Sequence, residues 1–205
     1  MVSFSSKSNL LSLPSEPYDM GTNHPLTAQN VHHIGLTVPD LDQAVEFFVD
    51  AIDCDVLYRK GPFGDPDGDS MERRLDVHPD ATASLAMLRC GPTLNLELFE
   101  WDAPDQDETP PKNSDIGAMH LALHVDDLDV AIHELADRDD VTMLDGPQTN
   151  EDGPTAGLTY IYCRVEWGLY LELLEAPEKM PYADDTNEQL YGPAPSWTSR
   201  PDHSD

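Results

Sequence analysis

His33-Ile34-Gly35-Leu36-Thr37-Val38-Pro39-Asp40-Leu41-Asp42-Gln43-Ala44-Val45 returns, 87 residues later, as His120-Leu121-Ala122-Leu123-His124-Val125-Asp126-Asp127-Leu128-Asp129-Val130-Ala131-Ile132. Seven of the thirteen positions are identical. An internal repeat of this kind marks a duplicated structural unit. Each copy opens on an apolar, β-branched stretch that suits a strand. Asp40 and Asp127 follow, short acceptors at the place of a helix N-cap. Apolar residues then recur at helical spacing: Leu41, Ala44, Val45, Phe48 and Ile52, and again Leu128, Ala131, Ile132 and Leu135.

Outward from the repeat, further strands are expected at Val56 to Arg59 and Val141 to Leu144. Others are expected at Ser84 to Arg89 and Thr159 to Arg164. The copies also end alike, Leu96-Glu97-Leu98-Phe99-Glu100 and Leu171-Glu172-Leu173-Leu174-Glu175. The fold class is therefore α+β, two βαβββ modules over residues 29–101 and 117–178. An acidic, Pro-containing linker, 102–116, joins them. A Gly/Pro/Asp-rich insertion, 61–81, interrupts the first module, with one helical turn near Met71 to Leu75. Residues 1–28 read as an extended arm and 179–205 as a Pro-rich tail.

Forty acidic residues stand against 11 basic ones in 205, a formal charge of −29. Such a surface repels polyanions, which excludes nucleic acid and anionic membranes as partners. Abundant Asp and only four lysines (Lys7, Lys60, Lys112, Lys179) fit a halophilic source, where salt screens charge over a few Å. No apolar run approaches the roughly 20 residues of a membrane span. Three cysteines, Cys54, Cys90 and Cys163, imply neither a disulfide framework nor a thiolate metal site, so a reducing cytoplasm is the expected location.

Four side chains carry the chemistry. Alternation puts His33 on one face of its strand with Gly35 and Thr37, and His120 with Ala122 and His124. Glu97 and Glu172 sit within Leu-rich closing strands, where a carboxylate needs a partner. A lone strand histidine, or a Glu between leucines, is usually structural or solvated. Four arising by repeat symmetry are better read as ligands of one divalent ion, and two imidazoles with two carboxylates suit Ni, Co, Zn, Mn or Fe. His32 lies on the opposite face. His124 lines a pocket or faces solvent, and Glu100 and Glu175 are exposed or capping.

This pattern, over residues 29 to 178, resembles the vicinal oxygen chelate superfamily of glyoxalases, epimerases, extradiol dioxygenases and bleomycin- or fosfomycin-resistance proteins. The resemblance implies a paired-sheet cleft with His33, Glu97, His120 and Glu172 as metal ligands, within one chain or, as among relatives, across a swapped homodimer. Glyoxalase I of bacteria carries Arg where this chain has Thr37 and Asn where it has Trp101, which tells against a glutathione substrate. Extradiol dioxygenases carry Pro-Gly where this chain reads Val165-Glu166-Trp167-Gly168, and a further His that is missing before Tyr160. The segment from Trp167 to Leu173, with Pro177, Lys179 and Tyr182, is similar to members that include cyclitol epimerases. The expected reaction on a small oxygen-chelating substrate is metal-assisted proton transfer beside a carbonyl, by an epimerase, isomerase or glyoxalase-like lyase. Glu172, or Glu97, would be the base. An extradiol-type dioxygenase is the second reading, and a bleomycin-resistance-like binding protein the third.

Overall fold

Asp40 and Asp127 cap their helices as the sequence requires. The Asp40 carboxylate accepts from Gln43 N–H at 2.8 Å, and that of Asp127 from Val130 N–H at 3.0 Å. A second carboxylate serves each helix from the end of a strand. Leu41 N–H donates to Glu100 at 2.7 Å and Leu128 N–H to Glu175 at 3.3 Å. Glu100 and Glu175 thus satisfy first-turn amides that would otherwise lack partners.

This computed structural model describes residues 30–190, 192, 193, 196 and 197. The expected N-terminal arm lies outside the described residues. The chain divides after Val31, and every element belongs to the unit His32–Asp205. These are β1 (Ile34–Thr37), α1 (Leu41–Asp50), β2 (Asp55–Phe63), α2 (Ser70–Leu75), β3 (Thr82–Cys90) and β4 (Leu94–Asp102). There follow β5 (His120–His124), α3 (Leu128–Ala136), β6 (Val141–Met143), β7 (Gln148–Thr149), β8 (Thr159–Val165) and β9 (Tyr170–Glu175). A 3₁₀ turn, Pro181–Asp184, opens the tail. The first sheet is ordered β1-β4-β3-β2 and the second β5-β9-β8-β6, with β7 beside β8. In both sheets the opening strand runs parallel to the closing one, and the remaining pairs are antiparallel.

One core joins the two sheets. Leu36, Leu96 and Leu98 of the first, Leu121, Leu171 and Leu173 of the second, and Phe47, Phe48, Leu128 and Leu135 of the helices belong to one buried cluster. Trp167, in the β8–β9 turn, meets the rings of Phe47 and Phe48 at 6.4 and 6.2 Å between centroids. The Arg138 guanidinium lies 5.4 Å over Phe47. The helical side of each sheet is thus turned inward, and the opposite faces carry the ligand candidates; on the first sheet Ala83, Leu85 and Met87 are buried on that face as well.

Two expectations need correction. Strand β2 continues through Phe63 and takes the first three residues of the expected insertion, by way of irregular pairing after Lys60. The cysteines are not all free. Cys54 and Cys90 form a disulfide, while Cys163 is buried and unpaired. The β2–β3 register pairs Asp55 with Arg89, which brings Cys54 opposite Cys90. Burial pushes the Cys163 thiol up to about 11.

Candidate metal centre

Strand pairing decides which residues share a face. On β4, Leu96 and Leu98 are buried beside Ile34 and Leu36, so Glu97, Phe99 and Trp101 point to the other side with Gly35 and Thr37. On β9, Leu171 and Leu173 are buried, and Glu172 shares its face with Ala122 of β5 and Tyr162 of β8.

The four candidates come together as two pairs. His33 Nε2 lies 3.1 Å from Glu97 Oε2, and His120 Nε2 lies 3.2 Å from Glu172 Oε2. Both pairs are partly open to solvent: the side chains are 36% and 19% exposed in the first, and 40% and 14% in the second. Among the described residues of one chain, no three His, Cys, Asp or Glu side chains gather closely enough to hold an ion. A single chain therefore presents the expected quartet as two half-sets, not as one cluster.

The donor atoms suit a metal. At an octahedral ion with bonds of about 2.1 Å, neighbouring ligand atoms stand about 3 Å apart. Both His–Glu pairs have that spacing, with Nε2 and a carboxylate oxygen turned to each other. His33 is also held from behind, because its Nδ1 lies 2.8 Å from Nδ1 of His32 and one ring donates to the other. Such outer contacts fix the tautomer and aim of a ligating imidazole. His32, expected on the opposite face, is thus in contact with His33.

Sequence reasoning missed Tyr162. Its hydroxyl donates to Glu172 Oε2 at 2.9 Å and lies 3.5 Å from His120 Nε2. Its ring meets His120 edge-on at 5.2 Å. Burial and the adjacent carboxylate push the phenol up to about 12, so it remains a donor. The alternation Tyr160-Ile161-Tyr162-Cys163-Arg164 did carry a signal, since Ile161 and Cys163 are buried and the other three share the ligand face. Across β4, the residue facing Glu97 is Met87, so the two half-sets are not chemically equal.

Further along the same face, with neither His33 nor Glu97 in its wall, lies a cavity of about 660 Å³ lined by Thr37, Trp101, Glu72, Asp76, His78 and Asp107. A second, of about 540 Å³, shares Thr37 and Trp101 and reaches Trp167 and Met119. Both have the size of small-molecule sites. The ring of Trp101 stacks on Phe99 at 5.3 Å. No helix among the described residues is long and apolar enough to cross a membrane.

Comparison with known proteins places this geometry. A family model described as Glyoxalase/Bleomycin resistance protein/Dioxygenase superfamily matches residues 32–162. A 2-epi-5-epi-valiolone epimerase from Actinomyces sp. is 48% identical over 168 residues, covering 82% of this chain and 91% of that protein. Among solved structures, a glyoxalase family protein from Bacillus cereus superposes with a TM-score of 0.56 at 18% identity, covering 77% of this chain and 98% of its own. A glyoxylase/bleomycin resistance protein/dioxygenase domain from Frankia sp. gives 0.52 at 21%, covering 77% and 99%.

Proposed function

Because the chain belongs to the Glyoxalase/Bleomycin resistance protein/Dioxygenase superfamily, we propose that it is a metal-dependent epimerase of a small hydroxylated ketone, with one divalent ion held by His33, Glu97, His120 and Glu172. The observation that carries this reading is the pair of His–Glu contacts at 3.1 and 3.2 Å, one on each sheet, both partly exposed and at the spacing of adjacent metal ligands. Each face supplies two of the four donors. A second copy of the chain would complete the set, His33 and Glu97 of one meeting His120 and Glu172 of the other. Homodimers with isologous contacts present such complementary faces twice.

The substrate class follows from the relative. Its name specifies 2-epi-5-epi-valiolone, a compound whose suffix denotes a ketone, and similarity over 91% of that protein supports the same class here. A bound ion would supply Lewis acidity to two neighbouring oxygens of the substrate. The protein's own part is proton transfer. Epimerisation breaks one C–H bond beside the carbonyl and re-forms it on the opposite face of that carbon. Glu172 removes the proton, its Oε2 steadied by Tyr162 so that Oε1 is left to receive it. Glu97, approaching from the facing half-set and entering the cycle with a proton taken from solvent, gives that proton to the other side of the carbon; Glu172 then releases its proton to water and Glu97 takes up another, which restores the starting state. The apolar neighbours Leu171 and Leu173 keep water from the back of Glu172.

The test is turnover of 2-epi-5-epi-valiolone in D₂O without oxygen, followed by NMR, on protein whose metal content has been measured. The expected result is epimerisation with deuterium entering at the carbon beside the carbonyl. In Glu172→Gln the rate should fall at least about 100-fold while the fold is retained. Full activity in that variant would end the assignment of the base. A requirement for oxygen would replace the epimerase with a ring-cleaving dioxygenase.

A further inference from the structure

The two ligand faces differ where the repeat should make them alike. Arg89 on β3 and Arg164 on β8 hold equivalent places, each two residues beyond the one facing the glutamate: Met87 faces Glu97, and Tyr162 faces Glu172. On the far side Arg89 is paired in register with Asp55, and the two side chains form an ion pair. Arg164 is paired with Thr142, which brings no charge. Its guanidinium lies 5.7 Å over the Tyr170 ring, and its Nε is buried with no hydrogen-bond partner. In a chain of 40 acidic and 11 basic residues, this arginine has no carboxylate against it among the described residues.

Nε is closed to a ligand, whereas the terminal nitrogens are accessible and have no hydrogen-bond or ion-pair partner among the described residues. The position suggests a use. His120, Tyr170 and Arg164 stand side by side on β5, β9 and β8. At a strand spacing of about 4.8 Å, His120 and Arg164 are about 10 Å apart at the backbone, a span that a six-membered ring and two side chains fill.

We propose that Arg164 is a substrate-binding residue that donates from its terminal guanidinium nitrogens to a neutral oxygen, a hydroxyl or carbonyl, of the molecule bound at the His120–Glu172 pair. A phosphate would call for several converging donors. Here one guanidinium shares its face with the Glu172 carboxylate, which repels a phosphate. The site thus selects an uncharged, hydroxyl-bearing substrate over its phosphate ester. This inference rests on the epimerase reading above.

The experiment compares wild type with Arg164→Met and Arg164→Lys by melting temperature and by kinetics on 2-epi-5-epi-valiolone. For Met, KM should rise about 10- to 100-fold with kcat within about threefold, the signature of lost substrate binding. Its melting temperature should hold or rise, because an unmatched buried donor has been removed. Lys, which keeps the charge but not the forked pair of terminal donors, should also raise KM. A lower melting temperature with unchanged KM would show a structural arginine and overturn the proposal. Absence of turnover by wild type would fall on the epimerase reading instead. In that case binding of 2-epi-5-epi-valiolone measured by calorimetry decides for Arg164, and equal affinity in wild type and the Met variant would overturn the proposal.

Discussion

At the scale of single residues, position on a strand matters more than residue type. Glu97 and Glu100 are three apart on β4, and one meets His33 while the other caps α1. His33 and Glu97, with His120 and Glu172, could be picked from the sequence because duplication marked them and alternation gave them a face. Tyr162 could not, because its closeness to Glu172 depends on the β8–β9 register. Arg138 shows how a single side chain can reach from one half to the other. It grips Asp140 with Nε and Nη2, at 2.8 and 2.7 Å, while lying over Phe47 of α1. Its hydrogen bonds hold the Asp140 carboxyl below the usual carboxylate range. A lowered folded-state pKa stabilises the fold above the ordinary carboxylate value near 4, and that contribution disappears as pH falls through the lowered value. Asp140→Asn should therefore melt about 2 °C below wild type at pH 7, a small figure because the pair is partly exposed. The gap should narrow as pH falls below about 4, and a gap of constant size down the acid range would contradict this account.

At the scale of elements, two turns are fastened by distant chain. The β8–β9 turn is covered by the linker: a Cβ on Gly168 would stand 2.2 Å from Cβ of Pro110, and Gly168 has φ +104°. The β3–β4 turn is covered by the tail: the Trp197 ring lies against Gly91, and its indole N–H donates to Asp53 O at 2.8 Å. The segment after the first module thus fastens the second, and the segment after the second fastens the first. Gly168→Ala should lower stability by roughly 2 kcal/mol or more, about 4–8 °C in Tm. Gly117, with φ +90° and nothing within 4 Å of an added Cβ, is the control, and Gly117→Ala should lose only the backbone part. Equal losses would mean that the Pro110 contact is unimportant. Strands and helices were legible in the sequence because periodicity and caps are local. The fastenings and the Cys54–Cys90 bond were not, since they join residues whose spacing along the chain says nothing of their distance in space.

At the scale of the whole molecule, the decisive feature is the side each sheet turns inward. Burying Phe47, Phe48 and Trp167 between the modules directs the His–Glu pairs outward on separate faces. The repeat predicted four ligands but could not say whether one chain gathers them, because sequence symmetry relates the modules without fixing how they pack. Two open half-sets on one chain lead to the central claim that a site is shared between copies. Its most direct test mixes two inactive variants, His33→Ala and Glu172→Gln, refolds them together and measures turnover. In a mixed dimer one site carries both lesions and the other carries neither. Random pairing should therefore restore about one quarter of wild-type activity. If each chain assembled its own site, both lesions would remain separately lethal, and the mixture would stay as inactive as its components.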